Sequence, residues 1–132
     1  MGKLLSKAEI VGVADLKIEE VEVPEWGGTV GVKGMTGADR DDFESSLYTG
    51  EGKNRKQNLK NLRARLVGMT LVDEDGQRLF SDAEIKQLSG KSAAALHRCF
   101  EVAQRLNGME AKAVEEAKND SPADPSADST TA

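Results

Sequence analysis

The chain has 132 residues, a formal net charge of −5 and a single cysteine, Cys99. One cysteine excludes an internal disulfide and favours a reducing compartment. No apolar run approaches the roughly 20 residues of a membrane span, and the first residues lack the apolar stretch of a signal peptide. We therefore expect a cytoplasmic, non-membrane protein whose length fits one domain.

A short helix is predicted near the start of the chain. Ser6 and Glu9 have the spacing of a capping box, in which the serine hydroxyl accepts a hydrogen bond from a backbone amide and the glutamate accepts one from the N-cap amide. This pattern predicts a helix over about 6–14 that carries Ile10 and Val13.

A β-hairpin is predicted over 17–34. β-Branched residues are interleaved there with glutamates, a pattern typical of a strand with one solvent-exposed face. The sequence Pro24-Glu25-Trp26-Gly27-Gly28 favours a turn, because glycines adopt positive φ at little cost. Apolar residues on the first strand are Ile18, Val21 and Val23, and alternation resumes at Thr29-Val30-Gly31-Val32.

From Thr36 onward the apolar residues follow a helical period, which predicts four helices. Their approximate bounds are 37–49, 57–71, 82–89 and 92–107. The second helix is predicted to carry an apolar stripe formed by Leu59, Leu62, Leu66 and Met69. The last has the strongest apolar face, formed by Leu96, Phe100, Ala103 and Leu106.

The C-terminal part has little to bury. Residues 109–118 are rich in helix-forming Glu, Ala and Lys but predict only a marginal helix, and residues 119–132 predict a disordered acidic tail. The predicted fold class is α+β: an N-terminal helix and a β-hairpin, followed by a small helical body and that tail. We expect a single globular domain over 1–108, with the helical body at 37–107.

Three patterns that could carry catalysis or bind metal have simpler structural interpretations. Gly90-Lys91-Ser92 lacks the earlier glycine of a phosphate-binding loop and predicts the end of one helix and the cap of the next. Asp73-Glu74-Asp75-Gly76 predicts a tight acidic turn, since the ligand spacing of a calcium loop is absent. His97 and Cys99 are two residues apart, so they point to different faces of a helix. We expect no enzymatic activity, metal or cofactor.

A basic run spans residues 53–65, which contain six basic residues and no acidic one. It is typical of the solvated side of an amphipathic helix, although an acidic protein partner or a nucleic acid could also explain it. No aromatic residue lies within the run for stacking on bases, and the whole chain is acidic, which disfavours nucleic acid.

Several sequence blocks occur in the order of a known family. The most distinctive is Val23-Pro24-Glu25-Trp26-Gly27-Gly28. It lies within a block over residues 16–30, and the other blocks lie within residues 35–44, 61–67, 71–76, 79–82, 91–96 and 102–108. Over about residues 4–108 the chain resembles the tail assembly chaperones of long-tailed bacteriophages.

The resemblance implies a protein that binds the tape measure protein, keeps it soluble and recruits the tail tube protein during tail assembly. It implies action in the host cytoplasm and absence from the mature virion, and it leaves a homo-oligomer open. Two other functions stay open: a structural head–tail or tail component retained in the virion, and a small nucleic-acid-binding regulator. The candidate partner-binding residues are Leu59, Leu62, Arg63, Arg65 and Leu66.

Overall fold

Residues 2–109 are described by a computed structural model and combine helices with small antiparallel sheets, which confirms the α+β class. The helices are α1 (Lys7–Gly12), α2 (Gly37–Ser45), α3 (Leu62–Thr70), α4 (Ile85–Ser89) and α5 (Ala93–Leu106). The strands are β1 (Ile18–Val23), β2 (Gly28–Lys33), β3 (Tyr48–Thr49), β4 (Lys56–Gln57) and β5 (Leu71–Val72). The predicted tail over 119–132 and all but the first residue of the predicted marginal helix lie outside the described residues. No described helix has both the length and the apolar composition needed to cross a membrane.

The predicted hairpin is present, with β1 and β2 antiparallel and Val21 opposite Val30. Gly27 turns the chain in the left-handed conformation, at φ 74°. Side chains alternate across a strand, so Val21 and Val23 face the core while Ile18 lies on the other face, 49% exposed. The strand face that the glutamates predicted to be polar and solvent-exposed therefore also carries an apolar residue.

Helix α5 is the centre of the core, as its apolar period predicted. Its N-terminus is capped by Ser92, whose Oγ accepts a hydrogen bond from the Ala95 amide at 3.2 Å. The helix packs against α3 and against both strands of the hairpin. Its buried apolar residues are Ala95, Leu96, Cys99, Phe100 and Ala103.

The helices predicted over 37–49 and 57–71 are both shorter than expected. Residues 48–49 and 56–57 pair instead as the two-stranded sheet β3–β4. Helix α3 begins only at Leu62 because Asn61 adopts the left-handed conformation, with φ 56° and ψ 32°, which a continuous right-handed helix does not allow. Leu59 consequently lies in the loop before the helix.

Helices α3 and α4 approach closely at Gly68. A Cβ added to Gly68 would lie 2.6 Å from Cγ1 of Ile85, a distance at which either the Ile85 side chain or one of the two helices would have to shift. The glycine therefore sets how near the helices pack.

The N-terminal arm, residues 2–16, is exposed along its whole length. The predicted capping box is present: the Ser6 hydroxyl accepts from the Glu9 amide at 3.1 Å, and the Ser6 amide donates to Glu9 Oε1 at 2.8 Å. Helix α1 nevertheless buries none of its residues. Leu4 is 96% exposed and Val11 is 76% exposed.

Candidate functional site

Two surface grooves meet at Leu59 and Leu62. The α2 groove, of about 480 Å³, has apolar walls formed by Phe43, Leu47, Tyr48, Leu59, Leu62 and Met109. The α5 groove, of about 380 Å³, has apolar walls formed by Leu59, Leu62, Ala64, Ala93 and Leu96. Because the same two leucines line both grooves, the grooves form neighbouring parts of one apolar surface.

Charged side chains border the α2 groove. The Arg55 guanidinium lies over the Tyr48 ring, 4.0 Å from its centroid, which is close enough for a cation–π interaction. Arg40 Nε lies 3.1 Å from Glu44 Oε2 one turn later on α2. Polar groups at the rim of an apolar groove are typical of sites that orient a bound chain.

The α5 groove has a basic rim formed by Arg63 and Lys91, and no acidic side chain among residues 2–109 lines it. The Arg63 guanidinium lies 5.5 Å from the centroid of the Phe100 ring, which is close enough for a cation–π interaction. The combination of apolar walls and basic rim suits an apolar segment flanked by acidic groups.

The structure places the five candidate residues in different environments. Leu59 and Leu62 are half-buried and line both grooves, and Arg63 is exposed beside them. Leu66 is 0% exposed and belongs to the core, so it offers no surface to a partner in this conformation. Whether any of these residues contacts a partner stays a prediction.

Arg65 holds the loops of its own chain together. Its guanidinium donates to the carbonyl and the hydroxyl oxygens of Ser46, to the Asn58 carbonyl at 2.6 Å and to the Lys60 carbonyl at 3.0 Å. Partial burial lowers the pKa of this guanidinium from its usual value. Its hydrogen bonds join the segments on either side of the β3–β4 sheet to the start of α3.

Several residues that line the α2 groove were not predicted. Phe43, Tyr48 and Met109 were not among the candidate partner-binding residues. Tyr48 lies within a stretch predicted to be helical, and Met109 follows the Asn107-Gly108 helix end. No local pattern marks these residues, because they meet only when α2, the β3–β4 sheet and the end of α5 pack together.

The patterns considered for catalysis adopt the simpler arrangements that were predicted. Gly90 ends α4 and Ser92 caps α5, while the Asp73 carboxylate accepts from the amides of Asp75 and Gln77 in a tight turn. Burial raises the pKa of the Cys99 thiol to about 11, so it stays protonated near neutral pH. Within residues 2–109, no three His, Cys, Asp or Glu side chains are grouped to hold a metal ion.

Comparisons with known proteins agree with this architecture. A sequence profile described as phage tail assembly chaperone matches residues 11–120. Among solved structures, the tail assembly chaperone of bacteriophage HK97 is similar, with a TM-score of 0.51 and 21% sequence identity. The likeness covers 69% of this chain and 85% of the HK97 chain, and it shows a shared fold. A search of curated protein sequences found no match.

Proposed function

Since this chain belongs to the phage tail assembly chaperone family, we propose that it binds the tape measure protein, keeps it soluble and recruits the tail tube protein during tail assembly. The observation that supports this proposal is the apolar surface where the α2 and α5 grooves meet, at Leu59 and Leu62. A long helix with an apolar face would aggregate if left uncovered, and such grooves receive anchors spaced three or four residues apart.

The charges around the grooves add a preference among partner segments. Arg63 and Lys91 border the α5 groove, so an acidic residue beside the apolar anchors of the bound helix is favoured there. Rim charges of this kind act mainly on association rate and specificity. Many copies bound along one tape measure chain would together bind more tightly than each copy alone.

The proposed site of action is the host cytoplasm, and the protein would be absent from the finished virion. Mass spectrometry of purified particles distinguishes this role from that of a structural tail component. Stoichiometric amounts of this chain in virions would overturn the chaperone proposal.

Co-expression with the tape measure protein of the same phage tests the proposal directly. We expect the wild-type chain to move the tape measure protein into the soluble fraction and to copurify with it. Leu59→Asp should reduce that recovery about tenfold or more, because a carboxylate would have to be desolvated at the meeting point of the two grooves. Leu59 lies in a loop and is half-buried, so the fold should tolerate the change.

Leu79→Asp is the matched control, since Leu79 is an exposed leucine that lines neither groove. Circular dichroism should show that both variants are folded. A tape measure protein that is equally insoluble with and without this chain would refute the function. Equal losses with the two variants would refute the assignment of the binding surface.

A further inference from the structure

We propose that the open edge of β1 binds an extended segment of a partner protein as an additional antiparallel strand, and that this segment carries Lys or Arg at alternate positions. In strand addition of this kind, main-chain hydrogen bonds supply affinity and alternate side chains supply specificity. No residue of β1 lines either groove, so this surface is separate from the one in the proposed function. The two proposals therefore stand or fall independently.

The two edges of the three-stranded sheet differ in length and cover. β2 lies in the centre, with β1 on one side and β5 on the other. β5 has only two residues, and Val72 forms a further bridge with Arg78. β1 has six residues, and among residues 2–109 it pairs with no strand but β2. An exposed edge of this length presents a row of backbone groups to which another chain can pair.

The register of the hairpin identifies the backbone groups that face the open edge. The Gly34 amide donates to the Lys17 carbonyl at 2.9 Å, so these residues form a hydrogen-bonded pair at the end of the hairpin. Hydrogen-bonded and non-hydrogen-bonded pairs alternate along an antiparallel ladder. The amides and carbonyls of Ile18, Glu20 and Glu22 therefore point away from β2, and all three residues are exposed. They present three donors and three acceptors to an added strand.

Two glutamates at this edge set the charge of the partner. Glu20 and Glu22 lie on the solvent-facing side of β1, and neither forms a salt bridge among residues 2–109. Arg98 interacts electrostatically with Glu22 but gives its side-chain hydrogen bonds to Glu25. Lys33, diagonally across the hairpin from Glu20, donates to a backbone carbonyl in the turn after β5. Opposite charges on directly facing residues stabilise strand pairing, so basic residues opposite the two glutamates are favoured.

The same glutamates disfavour two other occupants of the edge. Antiparallel pairing of two β1 strands near their centres would bring the Glu20 residues, or Glu20 and Glu22, of the two copies opposite one another, and like charges there are destabilising. Residues 110–132 contain three glutamates and three aspartates against two lysines, a net charge of −4, so they too are repelled. Charges that repel these occupants and attract a basic segment select between partners.

Amide hydrogen exchange in the full-length chain tests whether the edge is open. We expect the amides of Glu20 and Glu22 to exchange at least about tenfold faster than that of Val21, because only the Val21 amide donates to β2. Slow exchange of the two glutamate amides would mean that residues 110–132 or a second copy already cover the edge. That result would overturn the proposal.

A synthetic six-residue peptide that alternates lysine with valine tests the binding. At millimolar concentration it should slow the exchange of the Glu20 and Glu22 amides about tenfold or more, while leaving that of the α3 amides unchanged. No protection of the two glutamate amides would overturn the proposal.

Two N-methylated versions of the peptide separate strand addition from simple charge attraction. In antiparallel pairing the lysines lie directly opposite the glutamates, so the lysine amides face β1 and the valine amides face solvent. Methylation of the lysine amides should abolish the protection, whereas methylation of the valine amides should leave it intact. Equal protection by the two versions, which carry the same charge, would refute strand addition.

A charge reversal on β1 tests the preference for a basic partner. Glu20→Lys in the full-length chain should weaken binding of the lysine–valine peptide about fivefold, because a pair of opposite charges becomes a pair of like charges. Glu51→Lys is the matched control, since Glu51 is exposed in the loop between β3 and β4, and it should leave the affinity unchanged. Equal losses with the two variants would mean that the peptide responds to net charge alone, which would overturn the assignment of the edge.

Discussion

Arg65 connects three parts of the chain that are separated in sequence. Its guanidinium donates hydrogen bonds to oxygens of Ser46, Asn58 and Lys60, and it is the residue of the basic run that turns most fully inward. An arginine can satisfy several carbonyl groups at once because its five N–H donors have a fixed planar geometry. A lysine presents three donors on one nitrogen and cannot span the same acceptors.

We expect Arg65→Lys to lower the free energy of unfolding by about 1–3 kcal/mol, since carbonyl groups near the start of α3 would lose their donors. Urea denaturation measures the change. Arg63→Lys is the matched control, because Arg63 is exposed two residues earlier in the same helix, and this change should alter stability by less than about 0.5 kcal/mol. Equal effects of the two substitutions would contradict the structural role assigned to Arg65.

At the scale of elements, the hairpin is held against α5 by two bidentate ion pairs. Arg105 donates to both carboxylate oxygens of Glu19, at 3.0 and 2.6 Å. Arg98 donates to both oxygens of Glu25, at 2.9 and 3.1 Å. The first pair joins β1 to the C-terminal turn of α5, and the second joins the hairpin turn to the middle of the helix.

These ion pairs predict a specific dependence on pH. Hydrogen bonds from Arg105 and Arg98 lower the pKa values of Glu19 and Glu25 from their usual range. A carboxyl group whose pKa is lower in the folded state stabilises the fold above its unfolded pKa, and this contribution is lost as pH falls through the folded value. Their contribution should therefore be complete near neutral pH and vanish in strong acid.

The double variant Glu19→Gln, Glu25→Gln should melt at a slightly lower temperature than the wild type at pH 7, with the difference closing below pH 4. Both glutamates are on the surface, so the effect should be small and should shrink further in high salt. Thermal melts across pH and salt measure it. A difference that persists unchanged in acid would show that the ion pairs are not its cause.

At the scale of the whole molecule, apolar side chains are buried in the core but exposed along the N-terminal arm. The core joins α5, α3 and the inner face of the hairpin, whereas the N-terminal arm exposes Leu4, Leu5, Ile10, Val11 and Val13. The family profile begins only at residue 11, so most of this arm precedes the matched region. The arm therefore contributes apolar surface without contributing to the core.

We expect deletion of residues 2–12 to change the free energy of unfolding by less than about 0.5 kcal/mol, because none of these side chains is buried. Urea denaturation measures the change in the free energy of unfolding. Leu88→Ala removes a buried side chain from α4 and is the positive control, since it should lower the free energy of unfolding by about 2–5 kcal/mol. If the deletion lowered the free energy of unfolding by more than about 2 kcal/mol, the arm would have to pack against the rest of the protein in solution.

Features whose partners lie close in the sequence were predicted from the sequence alone. The capping interactions of Ser6 and Ser92 join atoms three residues apart, and the hairpin depends on adjacent strands and a glycine turn. Helix α5 was predicted because its apolar residues recur on one face over four turns. Short-range hydrogen bonding and periodicity are physical signals that a local window contains.

The site depended on a short strand pair inside a stretch with a helical apolar period, and on packing between segments that are distant in the sequence. Pairing of residues 48–49 with 56–57 replaced the helix predicted through Leu59, and it left that leucine at the junction of the two grooves. The same packing turned Arg65 inward and brought Met109 to a groove wall. Amino-acid sequence alone determined the class of fold and most of its elements. Which apolar residues stay accessible was decided only by tertiary structure, because it depends on how much of each side chain distant segments cover.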